Sequence, residues 1–206
     1  MTRLAWIAMC ALALGADVAR AAGPSFDCSH VTAGAIEEVV CRNPTLSLLD
    51  AETARLYALA SKAPAAGADV LKDEQRQWLG DRAKCTTAPE PETCARDRYI
   101  ERIDWLRLSQ RATRSADAKG ISLGPFAYRC DQTDGLVSVI FLKTDPPLAY
   151  VSRKSIHVVL AALPSGSGAR YGVEGGPSLW IHGKGEARYR EGARRPEVKC
   201  TEEPLG

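Results

Sequence analysis

The chain has 206 residues, 45% of them hydrophobic, 25% charged and 6% aromatic, a balance that excludes disorder and collagen-like repetition and fits one or two globular domains. Its formal net charge is only +2, so it carries no electrostatic footprint for nucleic acid. No window offers the roughly 18 uninterrupted apolar residues of a membrane-spanning helix.

The first segment reads as an address. Arg3 supplies a positive start, residues 4–14 are almost wholly apolar, and Ala19-Arg20-Ala21 is a small-x-small cleavage site, which together predict a secretory signal over residues 1–21 and a mature chain from Ala22. Ile7-Ala8-Met9-Cys10 departs from an acylation site because Met9 is large where a small residue is needed. The expected location is therefore the bacterial periplasm or the outside of the cell, with no transmembrane segment in the mature chain. Loss of Arg3, Arg20 and Asp17 leaves 25 basic and 24 acidic residues. Cys10 leaves with them, and Cys28, Cys41, Cys85, Cys94, Cys130 and Cys200 remain. An even number of cysteines in an exported chain implies disulfides.

From Ser25 to about Arg114 the texture is helical, with charged and apolar residues alternating at three and four spacing. A short helix over residues 33–41 is stopped at Asn43-Pro44, since proline disfavours helical geometry in the residue before it. A longer helix over 45–62 offers Leu49, Leu56 and Leu59 to a core, and residues 63–68, with Pro64 and Gly67, form a connection. A third helix, 69–84, puts Leu71, Gln75, Trp78, Leu79 and Arg82 on one stripe, and a fourth, 92–111, does so with Tyr99, Ile103 and Leu106. The sum is a small antiparallel helical bundle over residues 24–114. A linker is expected at 115–124.

After Gly120 the period becomes two. Short strands are predicted at 126–130, 136–143, 148–151, 155–162, 178–182, 186–190 and 197–201, with Asp134-Gly135 as a hairpin signal and Asp145-Pro146-Pro147 as a break. About eight strands in so short a stretch suggest a small antiparallel barrel or sandwich over 125–204. The fold class is thus α+β in two domains. Chain order suggests the pairs Cys28 with Cys41, Cys85 with Cys94 and Cys130 with Cys200, the last joining the first and last strands.

The helical part resembles the N-terminal domain of the LprI-type lysozyme inhibitors. The residues that carry the likeness are Pro24-Ser25-Phe26-Asp27-Cys28, Glu38-Val39-Val40-Cys41, Leu49-Asp50, Tyr57, Gln75-Arg76-Gln77-Trp78-Leu79 with Arg82 and Cys85, then Cys94 and Arg102-Ile103. The strand-rich part is similar to the membrane-bound inhibitors of C-type lysozyme, the MliC-like family, through Tyr128-Arg129-Cys130, the Ser167-Gly168-Ala169-Arg170-Tyr171 loop, Leu179-Trp180 to Glu186-Ala187, and Cys200. The resemblance implies a small antiparallel barrel, a C-type lysozyme as partner, and a hydroxyl and a cation aimed at the enzyme's two carboxyl groups. In that family a lysine-glycine pair follows the tryptophan. Here Trp180 is followed by Ile181, His182, Gly183, Lys184, Gly185, Glu186 and Ala187, so either His182 or Lys184 stands in the lysine's place. The resemblance implies Ser167 as the hydroxyl and Lys184 as the cation, with His182 as its rival. Gly166, Gly168, Gly183 and Gly185 permit tight turns, and Tyr171 is expected to support the loop.

Taken without that likeness, a Ser-Gly-Ser-Gly stretch is an ordinary flexible turn and a lone lysine is a solvated charge. Tyr171 and Trp180 read as barrel-packing aromatics, Trp78 and Tyr99 as core. Catalysis is not expected. His30, His157 and His182 are far apart with no metal-ligand spacing, and Gly166-Ser167-Gly168 lacks the strand-to-helix setting of a nucleophile elbow. No cofactor or metal is expected. Acid pairs such as Glu37-Glu38 should face solvent. The stretch from Ala116 carries 12 basic and 10 acidic residues, so it would not be steered from a distance toward a basic enzyme. The alternative reading is a cell-envelope module that binds another protein or a glycan without inhibiting anything.

Overall fold

The computed structural model describes residues 23–62, 68–114 and 119–204. The signal segment and Cys10, most of the 63–68 connection and residues 115–118 of the linker lie outside them.

Four helices come first: α1 (Ile36–Arg42), α2 (Pro44–Ser61), α3 (Ala68–Ala83) and α4 (Pro91–Ser109). Asn43 caps α2 by accepting from the Leu46 N–H at 3.1 Å, and Pro44 follows at the first helical position, where its missing N–H costs nothing. Leu46, Leu49 and Leu56 of α2 bury against Tyr99, Ile100, Ile103 and Leu106 of α4. Arg82 of α3 enters the same core. It donates to the Tyr99 hydroxyl at 2.6 Å, and Tyr99 donates in turn to Asp50 at 2.8 Å. Its other arm pairs with Glu37, so that half of the Glu37-Glu38 pair turns toward the bundle rather than to solvent. Leu79, placed by periodicity on the buried stripe, is 41% exposed, because Arg82 and Trp78 already fill the groove against α4. Cys28–Cys41 and Cys85–Cys94 tie helix ends together.

Eight strands follow: β1 (Ser122–Cys130), β2 (Leu136–Leu142), β3 (Leu148–Arg153), β4 (Ile156–Leu163), β5 (Ala169–Gly172), β6 (Ser178–Ile181), β7 (Glu186–Arg190) and β8 (Val198–Glu203). Each pairs antiparallel with the next and β8 pairs with β1, so the sheet closes and leaves no free edge. Cys130 stands opposite Cys200 in the closing ladder, and their disulfide locks it. Period-two alternation sends Val137, Val139, Ala149, Val151, Leu160, Leu179, Ala187 and Tyr189 inward. β5 is absent from the predicted strands, since its four residues, Ala169-Arg170-Tyr171-Gly172, show no alternation to detect. β1 begins at Ser122, inside the stretch expected to be linker.

The other face of β2 and β3 is apolar as well. Ile140, Leu142, Leu148 and Tyr150 belong to the same buried cluster as the helix residues, so bundle and barrel share one core. Arg107 of α4, fully buried, pins that contact. It donates to the Ser122 hydroxyl at 2.8 Å, to the carbonyls of Thr113 (2.8 Å), Gly124 (3.0 Å) and Ser122 (2.5 Å), and lies 3.5 Å from Glu52. Glu52 accepts from Arg55 at 2.8 Å and from the Ser122 hydroxyl. Burial alone would raise its carboxyl, but the bonds from Arg55 and Ser122 and the charges of Arg55 and Arg107 outweigh burial and hold it below the ordinary value.

Asp104, one turn before Arg107, is the opposite case. It is 7% exposed, its Oδ1 has no partner among the described residues, and desolvation pushes its carboxyl up from 3.8 to about 7. Arg107→Leu is expected to lower unfolding free energy by about 3–5 kcal/mol in urea titrations, because it takes the buried donor from three carbonyls and a countercharge from Glu52. Asp104 binds a proton more tightly folded than unfolded. Its contribution is therefore complete below about pH 4 and is lost as pH rises through about 7. Asp104→Asn should remove that decline, giving a gain on the order of 2–4 kcal/mol at pH 8 over the parent and little difference at pH 4.

Candidate functional site

Antiparallel connections alternate between the two ends of the barrel. The β4–β5 turn, residues 164–168, and the β6–β7 turn, residues 182–185, therefore lie at the same end. Register brings them side by side. Ala169 pairs with Ile181, which sets Gly168 against His182 across the β5–β6 ladder. Ser167 and Lys184 thus belong to neighbouring turns on one rim.

Gly168 is what lets the turns approach. Its φ is +65°, and a Cβ there would lie 2.1 Å from the Ile181 carbonyl oxygen, so neither the backbone conformation nor the space admits a side chain. Gly183 and Gly185 also hold positive φ, whereas Gly166 does not. The second brace is Trp180. Its indole N–H donates to the Ser167 carbonyl at 3.0 Å, and its ring lies 4.9 Å from the His182 ring. One half-buried side chain thus touches both turns. Its expected role as barrel packing is corrected: on β6 the inward places belong to Leu179 and Ile181, which leaves Trp180 on the outer surface.

Ser165 also donates to the Ser167 carbonyl, at 2.6 Å. The Ser167 hydroxyl itself is exposed, as is the Lys184 ammonium, and neither has a hydrogen-bond or ion-pair partner among the described residues. His182 is more confined. Its Nδ1 lies 3.8 Å from the Glu186 carboxylate, its backbone N–H donates to the Glu186 carbonyl, and its Nε2 is buried without a partner among the described residues. Tyr171 is a strand residue, its ring turned inward and packed 5.4 Å from that of Phe141. Burial raises its phenol above the ordinary value, which keeps it an uncharged wall. Below the two turns the mouth opens into a mainly apolar groove of about 450 Å³, lined by Phe126, Phe141, Tyr171 and Ile181 among others. The site is therefore a polar rim beside an apolar hollow. Among the described residues no group of three His, Cys, Asp or Glu gathers as a metal site.

The helical residues Gln75, Trp78, Arg82 and Arg102 do not reach this rim. Arg102 donates to Gln75 at 2.9 Å and covers the Trp105 ring at 4.3 Å, while Trp78 donates to the Arg98 carbonyl at 2.9 Å, so they knit α3 to α4. Trp180 is the rim contact whose place the sequence did not give: the family likeness includes it, but only pairing of β5 with β6 sets its indole N–H against Ser167.

Residues 128–197 match the model of the family described as membrane-bound lysozyme-inhibitor of c-type lysozyme. The chain is also 32% identical over 170 residues to the lipoprotein LprI of Mycobacterium bovis and to that of Mycobacterium tuberculosis, an overlap that covers 81% of this chain and 79% of each relative. No solved structure matches it. Gly168→Ala should lower stability by at least about 2 kcal/mol in thermal unfolding, from the left-handed backbone penalty plus displacement of the β6 carbonyl.

Proposed function

From the premise that this chain belongs to the family of the mycobacterial lipoprotein LprI, we propose that it is an exported bacterial inhibitor of C-type lysozyme, acting in the periplasm or outside the cell. One observation carries the reading. Two turns that share a rim each present an unpartnered polar group, the Ser167 hydroxyl and the Lys184 ammonium, within the segment that matches the lysozyme-inhibitor family.

Lysozyme cleaves glycan through two carboxyl groups in a cleft, one held protonated and one ionised. A hydroxyl and an ammonium on stiff turns complement such a pair. Ser167 hydrogen-bonds one carboxyl and Lys184 ion-pairs with the other, and the plug contains no glycosidic bond to cut. The protein works by occupancy, without chemistry of its own. Stiffness matters because each side chain frozen on binding subtracts from affinity. Gly168 and Trp180 supply it in advance. The apolar hollow beside the turns gives the contact a dry centre with the polar groups around it.

Lys184 fits the cation's role better than His182. The lysine is exposed at the tip of its turn, whereas the imidazole is held between Trp180 and Glu186. The net charge of +2 from Ala116 onward gives no long-range attraction to a basic enzyme, so affinity comes from short-range fit and a slow off-rate.

The test is a muramidase titration with purified protein. Activity should fall stoichiometrically. Lys184→Ala should weaken inhibition at least about tenfold, since truncating one member of a desolvated charge pair costs roughly 2–5 kcal/mol. Ser167→Ala should weaken it less. Undiminished lysozyme activity at excess protein overturns the proposal, and a silent Lys184→Ala beside a damaging His182→Ala moves the cation's role to the histidine.

A further inference from the structure

The opposite end of the barrel holds a second cavity, of a different character. It measures about 340 Å³, within the range of small-molecule sites, and lies among the β1–β2 turn, the end of β3 and the β7–β8 connection. Its lining is mixed: Pro196 and Val198 lie beside the polar side chains of Thr133, Asp134, Arg153, Tyr189, Glu191 and Arg195.

Tyr189 is the unusual member. It points inward from β7 and is 1% exposed, yet its hydroxyl has no hydrogen-bond partner among the described residues. Buried hydroxyls are almost always satisfied, so an orphan that lines a cavity asks for a ligand atom there. Burial and the Glu191 charge, opposed by Arg153, raise its phenol above the ordinary value, and it therefore stays an O–H donor. Arg153 adds another unmet group. One guanidinium arm donates to Glu191 at 2.5 Å, but its buried Nε has no partner among the described residues. Arg195 lies 3.6 Å from the second Glu191 oxygen, and Asp134 pairs with Lys154 at the rim.

Charge decides the ligand class. Two arginines face two carboxylates, so the lining is formally neutral and a free ion would meet repulsion along with attraction. A neutral molecule crowded with hydroxyls meets donors and acceptors together. We propose that this end of the barrel binds an uncharged saccharide unit, with Tyr189 Oη and Arg153 Nε donating to its oxygens and the Glu191 and Asp134 carboxylates and the Thr133 hydroxyl accepting from its hydroxyls. The site goes beyond the inhibitory reading and does not depend on it. Because it sits on the end away from Ser167 and Lys184, a chain held on a glycan keeps its other rim free.

The experiment is calorimetric titration of the purified protein with N-acetylglucosamine, its β-1,4-linked disaccharide and glucose, and separately with acetate and phosphate. At least one saccharide should bind and the two anions should not. Tyr189→Phe should weaken that binding about tenfold while leaving melting temperature equal or higher and lysozyme inhibition unchanged. Arg153→Lys, which keeps a cation beside Glu191, should weaken it as well. The proposal is overturned if no saccharide binds, if acetate or phosphate binds instead, if Tyr189→Phe binds as the parent does, or if it lowers melting temperature without changing saccharide affinity.

Discussion

A single buried guanidinium decides how the two halves of this protein meet. Arg107 reaches from the last helix into the start of the first strand and gathers three carbonyls, one hydroxyl and the Glu52 carboxylate around it. A charge withdrawn from water in this way is tolerable only when its donors are met, and its planar fork of N–H groups suits several oxygens at once. The same contact makes Ser122 and Gly124 part of the junction, so β1 is anchored before it joins the barrel. Helices and barrel then share apolar surface through Ile140, Leu142, Leu148 and Tyr150.

That anchorage has a consequence for the rim. A closed barrel transmits the placement of one strand to the next through eight ladders, and the disulfide between Cys130 and Cys200 holds the seam. With the outer face of β2 and β3 covered by helices, the turns that remain exposed at the end carrying Ser167 and Lys184 include β4–β5 and β6–β7. These turns are short, glycine-bent and braced by Trp180. Rigidity of the frame and exposure of the two polar groups arise from the same arrangement, which is what the proposed insertion into another protein's cleft calls for.

Much of the architecture was legible in the chain itself. The period of 3.6 marked all four helices to within a few residues, because α1, α2 and α4 bury apolar side chains at that spacing and α3 repeats it with Leu71, Trp78 and Arg82. The period of two marked seven of the eight strands, because each has one face inside the barrel. The fifth strand was not legible: Ala169-Arg170-Tyr171-Gly172 is too short to show a period, and only pairing on both sides makes it a strand. Leu79 misled because apolarity states a preference for burial but not which neighbour has taken the space. Glu37 misled for the converse reason, since a carboxylate on a helix surface is drawn inward once an arginine from another helix arrives.

By itself the sequence determined the division into a helical and a strand-rich part, the cysteines available for cross-linking, and the glycines and polar residues of the candidate rim, all of which are local properties of composition and spacing. Tertiary structure alone decided the rest. The partners of Arg107 lie 6 to 55 residues away along the chain, Trp180 meets Ser167 across a strand pair, and Tyr189 is left without a partner only because the barrel has closed around it. Hydrogen bonds act over about 3 Å while such residues are separated by many times that along an extended backbone, so which groups meet is settled by topology and register.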